Sequence, residues 1–464
     1  MERKIITPEQ LASQKNFTQL TRQYWQEMGH QPTAFVDTYG CQQNENDSER
    51  IRGMLEEAGY TMVGGPDRAD VVVFNTCAIR ENAEKRVYGD VGELSHTKKA
   101  YPNQKIFLCG CMMGQPHIVE KIKKSYRTVD GVFSTHHLWR FPSLLYKVLS
   151  TGERVFSVQD EEGSIVEGLP IRREGNLKAW VSIMFGCNNY CTYCIVPYVR
   201  GRERSRLPED IIAEVKDLIA QGYKDITLLG QNVNSYGKDL ENFIDFSDLL
   251  ETLAQLDGEF LLRFMTSHPK DATIKLFDVM AKYPKIAKQL HLPVQSGNDR
   301  VLNAMNRRYT RESYLELVNY AKKVMPDVVM TSDIIVGFPG ETEAEFEDTL
   351  SMIEQVEYDA LFTFIFSPRK GTPAAELPDP FSKEEKSRWF DRLLVSQNNI
   401  SQKLHGSYEG KTVTVLVDGK DGDQLTARTE GGRLVRLAGD DSLIGQFTKV
   451  TITGHTTWSL VSEE

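Results

Sequence analysis

Three widely separated cysteines, Cys41, Cys77 and Cys111, each stand at or just past the end of an apolar run with the length and composition of a β-strand. The runs are AFVDTY, ADVVVFNT and KIFLCG, and helix-forming stretches, DSERIRGMLEEAG and NAEKRVYGDVGEL, lie between them. The first of these helices reads as opening at Asp47 or Ser48 and stopping at Gly59. A fourth run, GVFS, follows at 131–134. Such alternation predicts a parallel sheet covered by helices. Right-handed crossovers keep successive strand ends on one side, and the carboxyl edge of such a sheet is where ligands bind. Three thiols far apart in sequence are therefore expected to converge. A single thiol is usually a core residue, but packing does not explain three at equivalent strand ends. Cys109 lies inside the apolar run itself and reads as a packed core thiol.

Six of the seven cysteines fall into two sets of three. The second set is compact: Cys187, Cys191 and Cys194 in FGCNNYCTYCIVPYVRGRERSR, spaced Cys-x3-Cys-x2-Cys. Three thiolates leave one iron of a four-iron cubane without a protein ligand, and an open coordination position is where a metal site does chemistry. Zinc with a fourth ligand is the alternative. The nearest histidines in sequence, His136, His137 and His268, lie well away from the set.

At 464 residues the chain has room for roughly two to four domains. The polar start MERKIITPEQ shows no secretory signal, and no apolar run approaches the roughly 20 residues that span a bilayer. No membrane association and a cytoplasmic location are expected, where reduced thiols serve metals or catalysis more than disulfides. A net charge of −10 does not advertise nucleic-acid binding. An RNA substrate would need a local basic path, and Arg200, Arg202, Arg204 and Arg206, just after the compact cysteines, are the candidates.

The fold expected is α/β and multidomain. Residues 1–32 form a helical N-terminal extension and 33–150 the parallel-sheet α/β domain. A linker at 151–172 leads to a partial barrel at 173–400, and 401–464 form a small all-β barrel. In the central region six apolar runs, AWVSIMF, DITLLG, FLLRFM, LHLPV, VVMTSDIIVGF and ALFTFIF, alternate with helical stretches. Thr342 and Glu345 form a capping box after GFPGE. This is (β/α) repetition with too few units for a closed eight-stranded barrel, and active residues should lie at strand C-termini. Gly230, Gln231, Ser267, His268, Gln295, Asp333 and Gly337 occupy such positions, whereas His268 beside Pro269 also reads as a turn histidine and Gly337 as a βα turn. Asp333 sits in an apolar strand, where an unpaired carboxylate is costly. A helix at 381–405 precedes four short strands, KTVTVLVDG, QLTARTEG, RLVRLAG and QFTKVTITG. Barrels of this kind commonly bind RNA. Removal of residues 405–464 is expected to weaken RNA binding and spare the barrel chemistry.

The compact spacing resembles the signature of the radical S-adenosylmethionine (SAM) enzymes. With TYGCQQNENDSE, HLPVQSGND, SDIIVGFPGETE and FIFSPRKGTPA, the chain is similar to the methylthiotransferase family, in the branch that modifies isopentenyl-adenosine beside the tRNA anticodon. These motifs run from residue 38 to 374, and the tail from about residue 405 is similar to the TRAM domain. Gln42–Gln43 stands where a Gln–Met pair is frequent. The resemblance implies a TIM-like (β/α)6 radical SAM barrel and two 4Fe-4S clusters, one on Cys187, Cys191 and Cys194 and one on Cys41, Cys77 and Cys111. It selects Cys111 over Cys109. It also implies SAM held by residues such as Gly230, Gln231, Gln295, Asp333 and Gly337, a tRNA anticodon arm as partner, and a low-potential electron donor of flavodoxin or ferredoxin type. The sulfur donor is left unspecified. The neighbouring readings are threonylcarbamoyl-adenosine in tRNA, an aspartate of a ribosomal protein, and a non-catalytic metal-containing RNA-binding protein.

Overall fold

The computed structural model describes residues 5–79, 81–158, 163–242 and 244–463. The chain divides into two compact units. One takes it up to Gly175 together with Met184–Asn188 and Cys194–Arg206, and the other takes Asn176–Ile183, Asn189–Tyr193 and everything from Leu207 on.

The first unit opens with the helix Pro8–Glu27, closed at its start by a capping box between Thr7 and Gln10. Among the described residues its sheet has six strands, all parallel, in the spatial order Thr61–Met62, Thr33–Thr38, Val71–Thr76, Lys105–Gly110, Gly131–Phe133, Val155–Ser157. Val71–Thr76 is buried throughout, as a central parallel strand covered on both faces must be. Alternation sorts its residues between two cores: Val71 and Val73 join Phe107, Phe133 and Ile51 on one face, and Val72 and Phe74 join Ile106, Leu108 and Val119 on the other. Val155–Ser157 lies within the segment expected to be a linker and pairs along Gly131–Phe133.

One helix begins earlier than its pattern suggests. Gln42–Glu57 starts right after Cys41, whose carbonyl accepts from the Asn44 and Glu45 amides. An opening at Asp47 or Ser48 assumed that the polar run QQNEND is loop. In the structure Gln43, Asn44, Asn46 and Asp47 are buried in the helix's first turns, a polar interior that hydrophobic periodicity cannot register.

In the second unit all six expected strands form. Leu261–Phe264, Asp225–Leu229 and Lys178–Ser182 make one parallel set in that order, and Gln289–His291, Val329–Val336 and Ala360–Ile365 another. A parallel bridge between Leu262 and Ile286 links the two sets. Helices alternate with the strands, and the Thr342–Glu345 capping box opens Glu343–Val356 as expected. This is the partial (β/α)6 barrel.

The helix Lys383–Gly406 leads to a curled sheet with six strands among the described residues, ordered Phe447–Thr451, Thr412–Asp421, Gln424–Thr429, Leu434–Leu437, Leu460–Ser462, Gly454–His455. The short strands Gly454–His455 and Leu460–Ser462 add to the four expected. This sheet docks on the amino ends of barrel strands in its own unit. Arg263 donates to the carbonyls of Glu430 (2.8 Å) and Thr429 (3.3 Å), Lys178 Nζ donates to Asp418 Oδ2 at 2.6 Å, and Arg433 is ion-paired with Asp359.

Candidate functional site

In the first unit the strand ends bring three thiols to one sheet edge. Gly40, with φ of +147°, carries the chain from Thr33–Thr38 to Cys41. A Cβ there would stand 2.8 Å from Cys77 Cβ and 3.2 Å from its sulfur, so glycine lets the two loops close on each other. Gly110, with φ of +94°, does the same for Cys111: a Cβ would lie 2.3 Å from the Thr76 carbonyl oxygen. The turn also separates two cysteines of like parity. Cys109 stays in the sheet core with Val71, Val73 and Phe107, while Cys111 packs with Ala78, Ile195 and Val199.

Asn44 stands between Cys41 and Cys111. Its Oδ1 accepts from Cys41 Sγ at 3.4 Å and lies 4.0 Å from Cys111 Sγ. Its Nδ2 donates to Asn75 Oδ1 and to the Thr76 carbonyl, both at 3.0 Å, and Asn75 Nδ2 returns a bond to the Asn44 carbonyl at 2.7 Å. Both asparagines lie inside motifs visible in the sequence, NENDSE and FNTC, but nothing local distinguishes them from turn residues.

Burial pushes the Cys111 thiol up to about 12, opposed by the Arg200 guanidinium, and pushes Cys109 well up too. Among the described residues no three His, Cys, Asp or Glu side chains close around one point as a single metal ion requires. A cubane asks for a different donor set, in which each thiolate takes a separate iron. Three thiols on one edge, screened by asparagine amides and one guanidinium, suit that set. Cys109→Ala is expected to keep this site and all activity, with a stability loss of about 1–3 kcal/mol from the small cavity. Iron analysis and denaturant unfolding check it, and loss of iron from a folded variant would mean that Cys109 is a ligand.

The arginine cluster differs from its expected role. Arg200 is buried: Nε donates to Cys111 Sγ at 2.9 Å and Nη2 to Asp47 Oδ2 at 2.9 Å. Arg206 is buried as well, with Nε and Nη2 donating to Glu167 at 2.6 and 2.7 Å. Arg204 is partly buried and donates to the carbonyls of Arg202 (2.7 Å) and Arg200 (3.2 Å). Only the side chain of Arg202 is exposed among the four. Expecting all four to meet phosphate overlooked carboxylates remote in sequence, Asp47 and Glu167, that take up two of them inside the fold.

Cys187, Cys191 and Cys194 are kept together by their spacing in the chain. In the first unit the Cys187 amide donates to the Gly201 carbonyl at 3.1 Å. In the second unit Cys191 is buried, with Arg307 Nη1 3.4 Å and His268 Nε2 3.9 Å from its sulfur. The His268 Nδ1 accepts from the Lys270 amide at 3.2 Å, which leaves the proton on Nε2, toward the sulfur. Burial, with Arg307 and Lys270 nearby, keeps this imidazole neutral far below its ordinary pKa. Arg307 also donates to the Pro293 carbonyl at 2.7 Å and to Tyr309 Oη at 2.9 Å. Nothing in the local sequence NRRYT marks Arg307, and sequence reasoning missed it.

Backbone strain collects in the same region of the second unit. Tyr190 (φ +48°), Thr266 (+70°), Gln295 (+72°), Asn306 (+59°) and Arg308 (+59°) all adopt left-handed conformations. Such strain persists where the surroundings over-determine it, often at binding sites. Asn306 Nδ2 ties two of these stretches together by donating to the Asn189 and Tyr190 carbonyls, at 3.1 and 3.0 Å.

Of the residues expected near SAM at strand ends, Gly230, Gln231, Gln295 and Gly337 lie just beyond strands of this unit, whereas Asp333 lies inside Val329–Val336. Gly230, just past Asp225–Leu229, has its carbonyl held by Thr266 Oγ1 at 2.5 Å, and Gln231 follows it. Gln295 is buried and bridges to the neighbouring strand, its amide on the Asp333 carbonyl at 2.9 Å. Asp333 Oδ1 lies 3.6 Å from His291 Nε2. Gly337, φ +70°, donates its amide to the buried Glu341 carboxylate at 2.6 Å, and a Cβ would meet Lys386 at 2.5 Å, so its glycine serves the βα turn. Three buried polar atoms in loops of this unit, Asn189 Nδ2, Asn232 Oδ1 and Ser267 Oγ, have no hydrogen-bond partner among the described residues. Buried polar groups are nearly always satisfied, so this set fits a polar ligand such as SAM. Among the described residues no helix is long and apolar enough to cross a membrane.

Residues 181–353 match the Radical SAM superfamily, 33–134 the uncharacterised protein family UPF0004, and 406–463 the TRAM domain. In fold the chain is similar to a radical S-adenosylmethionine methyltransferase from Kitasatospora setae, with a TM-score of 0.54 over 75% of both chains at 12% identity. The barrel and its three-cysteine loop thus define a radical SAM enzyme. A tRNA-2-methylthio-N6-dimethylallyladenosine synthase from Clostridium botulinum is 51% identical over 93% of this chain and 96% of its own. Another from Alkaliphilus oremlandii is 48% identical over 99% and 98%. The chain belongs to the family of tRNA-2-methylthio-N6-dimethylallyladenosine synthases.

Proposed function

We propose that this enzyme places a methylthio group on C2 of N6-isopentenyl-adenosine beside the anticodon of tRNA, using SAM and two 4Fe-4S clusters. The observation that carries the two-cluster reading is the gathering of Cys41, Cys77 and Cys111 at one sheet edge, in addition to the compact Cys187, Cys191 and Cys194. Sulfur insertion at an aromatic carbon needs both a way to remove hydrogen and a place to hold sulfur, and two open-iron sites answer both needs.

With its cluster reduced and SAM bound, the site on Cys187, Cys191 and Cys194 would supply one-electron chemistry able to take hydrogen from an unactivated aromatic C–H, which acid–base side chains cannot do. Around it, Arg307 and the Nε2–H of His268 steady the Cys191 thiolate. Asn189, Asn232 and Ser267, with Gly230, Gln231, Gln295 and Gly337 beyond the strand ends and Asp333 within its strand, would form the cradle that orients SAM. Cys41, Cys77 and Cys111 would hold the second cluster, whose open iron would offer a place for sulfur. Arg202 is the phosphate contact of its cluster, and the C-terminal sheet is a second handle on the anticodon arm. The target adenine has to leave its stack to present C2, which suits a single-stranded loop. A flavodoxin- or ferredoxin-type protein delivers electrons, and the site of action is the cytoplasm, where the thiols stay reduced.

The test is methylthiolation by anaerobically reconstituted, reduced enzyme of tRNA bearing isopentenyl-adenosine, against unmodified tRNA, threonylcarbamoyl tRNA and ribosomes. A preference for either of the last two overturns the substrate. Failure to form 5′-deoxyadenosine from SAM would favour a metal-containing RNA-binding protein. Arg202→Gln is expected to weaken tRNA binding and lower the slope of log affinity against log salt by about 1, while leaving SAM cleavage without tRNA unchanged.

A further inference from the structure

We propose that Arg200 is a positioning residue for the second cluster, raising its reduction potential through a charged hydrogen bond to the Cys111 sulfur. The proposal rests on the reading that Cys41, Cys77 and Cys111 hold a cluster. Arg200 ends the short helix Val196–Arg200, shortly after Cys194, so the segment that follows one cysteine set delivers a guanidinium to the other.

The geometry fixes the guanidinium from two sides. Nε donates to Cys111 Sγ at 2.9 Å, Nη2 donates to Asp47 Oδ2 at 2.9 Å, and the same Nη2 lies 3.4 Å from Asn44 Oδ1. Asp47 is itself held by Gln43 Nε2 at 3.4 Å and by Arg50 Nη1 at 3.7 Å. The Arg200 and Asp47 side chains are only 6% and 7% exposed, so solvent does little to screen the charge at the sulfur. A buried ion pair is weak evidence for stability, because desolvating both charges offsets their attraction. A pair aimed at a ligand sulfur has a more direct consequence. Reduction adds negative charge to a cluster, and both a positive charge and an N–H···S bond favour the more negative state. The guanidinium also draws electron density from the Cys111 thiolate, leaving less for iron.

A purely structural strut between Val196–Arg200 and the helix Gln42–Glu57 would predict no change in potential once the protein is folded. The experiment uses the full chain with Cys187, Cys191 and Cys194 replaced by alanine, so that the second cluster is observed by itself. Iron is counted after reconstitution, and the midpoint potential is read by electron paramagnetic resonance during redox titration. In this background R200M is expected to keep about four irons per chain and to titrate at a lower potential. R200K retains the charge without the planar fork and falls between. Asp47→Asn removes the neighbouring negative charge, keeps the guanidinium, and moves the midpoint the other way, upward. If R200M does not assemble its cluster, R200K and Asp47→Asn decide by their opposite shifts. Unchanged midpoints in the cluster-bearing variants overturn the proposal. Absence of iron in the background with Arg200 intact would instead refute the second-cluster reading.

Discussion

Replacing Cys187, Cys191 and Cys194 with alanine is expected to leave about half of roughly eight irons per chain and to abolish SAM cleavage. Replacing Cys41, Cys77 and Cys111 is expected to remove the other half, spare SAM cleavage, and end methylthiolation. The asymmetry follows from the placement of the two sets. The compact set is the signature of the superfamily matched at residues 181–353, and the Arg307 and His268 contacts to Cys191 do not depend on the dispersed thiols. Each half-loss tests one set independently, by iron analysis and by 5′-deoxyadenosine formation. Full iron in the second triple variant would sink the dispersed site. Full SAM cleavage in the first would move the radical chemistry elsewhere.

Arg433→Met is expected to destabilise the second unit by about 3–5 kcal/mol, because it leaves the Asp359 carboxylate buried without its ion partner. Asp359 and Arg433 are 9% and 8% exposed, and Asp359 also accepts from the Met330 amide at 2.7 Å in the neighbouring strand. Strain at this pair therefore reaches the barrel. Urea unfolding should show a lower midpoint, and the double variant Asp359→Asn, Arg433→Met should recover much of the loss. A double variant no better than Arg433→Met would show that the packing of Arg433, not its charge, matters. The same contacts revise the expected effect of removing residues 405–464. Deletion strips Arg263 of its acceptors at Thr429 and Glu430 and leaves Asp359 unpaired. Loss of SAM cleavage together with RNA binding is now expected, so surface substitutions on the sheet are the cleaner probe of RNA contact.

The parts of this protein that could be read from the chain are those written in local periodicity or close spacing. The run ADVVVFNT became the fully buried strand Val71–Thr76, six apolar runs became six barrel strands, and Thr342 with Glu345 capped the helix they announced. The compact cysteines needed no fold to bring them near one another, and the dispersed ones needed only the right-handed rule for parallel strands. Where polar groups are buried, the pattern was silent. QQNEND looked like loop and is helix, because its partners Asn75, Thr76 and Arg200 arrive from elsewhere in the chain. The short strand Val155–Ser157 carries too few residues for a period of its own and is recognisable only by its pairing.

Charge shows the division most plainly. Chain order alone shows that four arginines follow the compact cysteines and that six cysteines fall into two sets of three, and the chain's periodicity places an α/β domain, a partial barrel and a β-sheet in succession. The pairing of Arg200 with Cys111 and Asp47, of Arg206 with Glu167, of Arg433 with Asp359 and of Arg307 with Cys191 exists only once the chain has folded. The difference lies in range. Backbone periodicity and capping act over a few residues and leave a trace in composition, whereas a buried charge is assigned its partner by the closing of the fold, across separations that no local pattern encodes.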